Sequence, residues 1–263
     1  MMIAWLAGIR GKSLRVVSII ALCLISVAYL SSTFSGRHPQ TVALDVGMSG
    51  ARIVLALLAI FWVYELVGKE LERKTIFFSL SYPVPRYYFW LGRFLGIFLL
   101  LLAAAAILAG AIYLMVYLSG LEYQQQFGIS FGLSYLLVWL GVMLDVLTIC
   151  AFALLMTSFA TTPLIPIAAS LIFMLVARSY GAVMAVMSNP ASETADMASD
   201  FLPLLKTIAY VVPDLGALDF RSLILYGEPL VWSNASLFLG QSVLYACLAL
   251  VISSVIFSRR EFS

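Results

Sequence analysis

The chain has 263 residues, of which 63% are hydrophobic and 11% charged, and its mean hydropathy is +1.05; soluble domains carry about 45–50% apolar residues and roughly 25% charge. Water cannot solvate a fold with that balance, and little sequence is left for a second, soluble domain. A formal net charge of +2, with no basic block away from the apolar runs, gives no case for nucleic-acid binding.

From the N-terminus, Met1 to Ser13 sets Met2, Ile3, Trp5, Leu6 and Ile9 near helical spacing ahead of Arg10 and Lys12. This is the pattern of an N-terminal interfacial helix lying in the headgroup layer, the alternative being a frayed tail. The first apolar run, 16–30, follows basic residues as a signal peptide would, but it lacks a small-residue cleavage site and reads as a retained first span. Residues 31–50 read as a polar outer loop holding His38, the single histidine.

The second span, 51–67, leads into the densest charge cluster of the chain: Glu65, Lys69, Glu70, Glu72, Arg73 and Lys74. These charges cannot sit in lipid, so region 68–87 lies outside the bilayer. The third span, 88–119, is longer than a bilayer needs and should tilt or project. The fourth, 131–159, and the fifth, 163–186, are joined by the tight turn Ala160-Thr161-Thr162, with Pro163 suited to a first helical turn.

Segment 187–234 contains Pro190, Pro203, Pro213 and Pro229 and only short apolar patches. It predicts short outer-face helices that either dip into the membrane or pack over it. The sixth span, 237–257, ends at Arg259 and Arg260. The fold class is therefore an all-α polytopic membrane protein with six transmembrane helices. Cys23, Cys150 and Cys247 all fall in apolar runs and are expected to be free thiols.

Orientation follows from the lysines and arginines. With both termini inside, Arg10, Lys12, Arg15, Lys69, Arg73, Lys74, Arg86, Arg93, Arg259 and Arg260 are cytoplasmic, while Arg37, Arg52, Lys206 and Arg221 fall outside and Arg178 lies within a span. The positive-inside rule favours this topology over its inverse.

No GxxxxGK[ST] phosphate loop is present, nor HExxH or a paired Cys/His set. The chain is expected to be neither an ATPase nor another enzyme, and to bind no metal or cofactor itself. Within the spans only Asp145 and Arg178 are clearly ionisable. Each lies roughly 16 residues from the turn joining spans four and five, hence about 24 Å along antiparallel neighbours at 1.5 Å per residue. They could pair directly as a structural device, or one of them could meet a substrate or a coupling proton.

The cytoplasmic stretch from Glu65 to Arg93 combines flanking charges with an apolar patch, Ile76, Phe77, Phe78 and Leu80, ahead of Pro83 and Pro85. A short helix there would present an apolar knob to another protein. The residues Glu70 and Glu72, Lys74-Thr75, Ser79-Leu80-Ser81, Pro83 to Arg86 and Leu91-Gly92-Arg93 resemble the motif of ABC-2-type permeases, the membrane subunits of ATP-binding-cassette exporters. Lys74 and Arg93 stand where that pattern has Gly and Lys. Val212-Pro213-Asp214-Leu215, Leu218 to Arg221 and Tyr226-Gly227 are similar to the segment before the last helix in the copper-enzyme-maturation and gliding-motility group.

The resemblance implies a half-transporter in the bacterial inner membrane that dimerises with a second copy or a paralogue amid membrane lipid. A cytoplasmic coupling helix between spans two and three would dock on a separate ABC ATPase, which binds ATP and Mg. Glu70, Glu72, Thr75, Phe77, Phe78 and Arg86 would carry that coupling. Alternatives read from the residues are a non-transporting scaffold held to a soluble partner through the same loop, and a proton-coupled carrier resting on Asp145 and Arg178.

Overall fold

The computed structural model describes residues 13–35, 38–72, 86–122, 131–160, 162, 164–187, 207, 212–227 and 232–259. The expected interfacial helix before Ser13, and the coupling helix with Thr75, Phe77 and Phe78, lie outside the described residues.

Among the described residues six long helices make the bundle: α1 Ser13–Phe34, α2 Pro39–Glu72, α3 Arg86–Glu122, α4 Leu133–Phe159, α5 Leu164–Met187 and α7 Trp232–Arg259. Between α5 and α7 lie a 3₁₀ turn, Gly216–Leu218, and the one-turn helix α6, Ser222–Leu225. Among the described residues there is no strand. Helices α2, α3, α4, α5 and α7 are long and apolar enough to cross a membrane, and α1 offers a shorter apolar stretch, Ile19–Phe34. The polytopic all-α architecture is thus as expected.

Most of the buried apolar side chains lie on α2, α3 and α4, in one continuous core that residues of α1, α5, α7 and segment 212–225 also join. Helix α4 is the most enclosed, while α5 and α7 turn most of their surface outward. In a bilayer that is not a defect, because lipid tails solvate leucine and valine as well as a protein core does. Close approach uses small residues: Ala21 and Ala28 of α1 are buried, as are Ala43, Gly47 and Ala51 of α2. Helix α3 has 37 residues, about 55 Å at 1.5 Å per residue, well beyond a hydrocarbon thickness of about 30 Å.

The main departure from the sequence expectation is in α2. It begins at Pro39, so residues 39–50 are helix and not an outer loop. Pro39 sits in the first turn, where its missing N–H is harmless. Apolar Ala43, Leu44, Gly47 and Met48 are buried, whereas Thr41, Asp45, Ser49 and Arg52 recur at three- and four-residue spacing along the helix. Average hydropathy reads that mixture as a loop; helical periodicity resolves it into an apolar face and a polar stripe. Helix α2 also loosens into a π-helical turn at Tyr64–Gly68 before its last turn, Lys69–Glu72. Such turns occur frequently at functional sites.

Segment 212–225 does not lie over the bundle but enters it. Leu215 and Leu218 are fully buried, and the Leu215 N–H donates to the Ala177 carbonyl of α5 at 3.0 Å. Irregular backbone at this depth is tolerated only where protein buries it. Two glycines make room. A Cβ on Gly141 of α4 would lie 2.4 Å from the Leu218 carbonyl oxygen, and one on Gly181 of α5 would lie 2.4 Å from the Asp214 carboxylate.

Candidate functional site

Three helices and the inserted segment bring their charges together. Asp145 of α4 has a side chain with 0% exposure, and its Oδ2 accepts from Arg178 Nη2 of α5 at 2.9 Å. The same oxygen accepts from Arg52 Nε of α2 at 2.6 Å. Arg52, expected outside the membrane, is therefore an interior residue with 11% side-chain exposure. Its remaining donors face the inserted segment: Nη1 reaches Asp219 Oδ2 at 2.9 Å, and Nη2 donates to the Leu215 carbonyl. The Arg52 carbonyl in turn accepts from Arg178 Nη2 at 3.1 Å.

Arg221 completes the outer part. Its Nε and Nη2 bracket the Asp219 carboxylate at 2.6–2.9 Å, and Nη1 donates to Asp45 Oδ1 at 2.8 Å and to Ser49 Oγ. The polar stripe of α2 is thus the surface on which segment 212–225 is seated. Burial works to raise the Asp219 carboxyl, but the Arg221 and Arg52 guanidiniums outweigh it and hold Asp219 below the usual carboxylate range. For Arg221, burial acts to lower the guanidinium, and the Asp219 hydrogen bonds and charge more than reverse it.

From the ends of α2, α4 and α5 nearest the inserted segment, Arg52, Asp145 and Arg178 lie about 14–20 Å in, at 1.5 Å per residue. A charge at such depth is costly alone and is retained by pairing. Asp145 Oδ1 and Arg178 Nε are buried with no hydrogen-bond partner among the described residues. No cluster of three or more His, Cys, Asp or Glu side chains that could hold a metal occurs among the described residues.

The opposite end of the bundle holds the residues expected to couple. Glu70, on the last turn of α2, forms an ion pair with Arg93 of α3, whose guanidinium also lies 5.1 Å from the Phe89 ring centroid. Glu72 is exposed at the helix end. Arg86 begins α3, its side chain lying outside the described residues along with Thr75, Phe77 and Phe78. Lys69 stands 3.8 Å from Glu65 Oε1 and 5.6 Å from the Tyr64 ring centroid, spanning the π turn.

One helical turn from Arg93, Trp90 Nε1 donates to Ser253 Oγ of α7 at 2.7 Å, and its ring stacks on Phe257 at 4.5 Å. The end of α2, the start of α3 and the end of α7 are therefore fastened together on both sides of segment 73–85.

Sequence reasoning offered a direct pairing of Asp145 with Arg178 but did not join Arg52, Asp45, Asp219 or Arg221 to it, nor pair Glu70 with Arg93. For Arg52 and Asp45 the missed signal was the periodic polar stripe of α2. Asp219 and Arg221 gave none, because two residues of a proline-interrupted segment do not announce which helices they meet.

No curated protein matches the chain. A family model described as ABC-2 family transporter protein matches residues 8–262. That match takes in nearly the whole chain, including α2, α3 and the seated segment, and the bundle is of the polytopic helical kind a permease requires, so the chain belongs to the ABC-2 transporter family as a membrane permease.

Proposed function

We propose that this permease is the transmembrane subunit of an ATP-driven exporter, working as a dimer with a second copy or a paralogue. A separate cytoplasmic ATPase would bind ATP and Mg, and segment 73–85 would form the coupling helix that docks on it. The observation that carries this reading is the family match over residues 8–262.

The junction at the end of α2 supports it. A push on segment 73–85 enters α2 and α3 together, because Glu70 and Arg93 tie the two helices just inside their ends. Trp90 with Ser253 and Phe257 extends the push to α7. The π turn at Tyr64–Gly68 is a place for α2 to bend under that load. Nucleotide binds the closed ATPase pair more tightly than the open one, and a docked rigid unit carries the difference into the spans.

The positive-inside rule supports cytoplasmic termini more strongly once Arg52 is removed from the outer count, since it belongs to the interior network. A bacterial inner membrane is the setting this reading implies.

The test is co-purification from gently solubilised membranes, comparing the unaltered chain with the double variant Phe77→Asp/Phe78→Asp. An ATPase that accompanies the former and is lost from the folded double variant supports both the reading and the docking helix. A soluble partner other than an ATPase, held by the same segment, would instead make the chain a scaffold.

A further inference from the structure

The charge arithmetic of the buried network is asymmetric. Asp219 and Arg221 grip each other through three contacts of 2.6–2.9 Å, so segment 212–225 carries its own neutral pair. If it leaves its seat, Asp45, whose side chain is 53% exposed, is solvated. Arg52 and Arg178, with side chains 11% and 16% exposed, are left sharing the single carboxylate of Asp145. Two guanidiniums and one carboxylate in an apolar interior hold one uncompensated positive charge, an arrangement that burial heavily penalises.

The donors left behind are also specific. Arg52 Nη1 and Nη2 would lose the Asp219 carboxylate and the Leu215 carbonyl together. Arg178 Nε, buried and without a hydrogen-bond partner among the described residues even in the closed arrangement, stands beside them. Two forks of N–H donors with a net positive charge match a planar or tetrahedral oxyanion. We propose that Arg52 and Arg178 form a binding site for an anionic phosphate or carboxylate group, and that Asp219, backed by the Leu215 carbonyl, is the internal occupant which that group displaces.

This rests on the transporter reading for its purpose, since exchange between Asp219 and an anionic group would let the seated segment open only when such a group is present. The binding itself needs no ATPase. A ligand excluded by an internal occupant binds with an apparent affinity reduced by the fraction of molecules in the open arrangement.

The purified chain in an uncharged maltoside detergent is titrated calorimetrically with dodecyl phosphate, inorganic phosphate and dodecyltrimethylammonium. Asp219→Asn should bind dodecyl phosphate about tenfold or more tightly than the unaltered chain, as when an open fraction of about a tenth becomes nearly whole. Arg221→Gln, which loosens Asp219 without touching Arg52, should shift affinity the same way, and it decides the matter if Asp219→Asn does not stay monodisperse. Adding Arg52→Gln to either variant should abolish the gain. The same ranking with inorganic phosphate identifies a free oxyanion as sufficient, whereas the ranking with dodecyl phosphate alone identifies a lipid-like headgroup. Equal affinities in all variants, or the same ranking with the cationic probe, overturn the proposal. Loss of ATPase co-purification with the ranking intact would overturn the transporter reading and leave the site standing.

Discussion

Replacing Asp145 by Asn tests the network at its centre. The carboxylate is fully buried, and its Oδ2 serves Arg52 at 2.6 Å and Arg178 at 2.9 Å. Neutralising it leaves two guanidiniums facing Asp219 alone, and breaking a buried ion pair by removing one partner costs about 3–5 kcal/mol. Unfolding in mixed micelles at increasing SDS fraction, followed by tryptophan fluorescence, measures the loss.

Because Asp145 has two cationic partners, swapping charges with Arg178 should not rescue it: an arginine at 145 would face Arg52. Removing one charge of each sign should. Asp145→Asn/Arg178→Gln leaves Arg52 paired with Asp219, so the double variant should be more stable than the sum of the single losses by about 1–3 kcal/mol, the size of coupling expected between contacting charges. Additivity within about 0.5 kcal/mol, the behaviour of independent sites, would refute the shared-carboxylate account.

The seating of segment 212–225 depends on Gly141, where a Cβ would come within 2.4 Å of the Leu218 carbonyl oxygen and 2.9 Å of the Phe220 ring. Gly141→Leu should unseat the segment, read as faster proteolysis near Arg221, while an alanine at Gly110, where a Cβ meets nothing within 4 Å, should leave the pattern unchanged. Glu70→Gln should leave the ATPase bound but lower nucleotide-dependent changes in the spans, measured as the spread between distances of paired spin labels with and without ATP; unchanged distances would dismiss the Glu70–Arg93 tie as a transmitting contact. Asp219 has its carboxyl held below the ordinary 3.8. Its folded-state pKa being depressed, its contribution is complete above the unfolded value and lost as pH falls through the folded one. Stability in mild acid, below pH 3.8, should therefore fall more steeply for the unaltered chain than for Asp219→Asn.

Much of the architecture is local information. Runs such as Leu133–Phe159 and Trp232–Arg259 are apolar enough that the bilayer is their solvent whatever their neighbours are. The proximity of Asp145 and Arg178 was legible for a related reason. Only residues 160–163 separate α4 from α5, so the register of two antiparallel helices follows from counting outward from the turn.

Arg52 with Asp145 and Arg52 with Asp219 are 93 and 167 residues apart in sequence, and nothing local fixes them. Their meeting depends on α2 turning its polar stripe inward, on glycines at 141 and 181 admitting the segment, and on the segment carrying Asp219 to the depth of Arg52. The sequence determined that this chain lives in a membrane, because hydrophobic length is a property of each segment by itself. Which charges neutralise one another was decided only by the tertiary structure, because an ion pair in a low-dielectric interior depends on where three separately encoded surfaces converge.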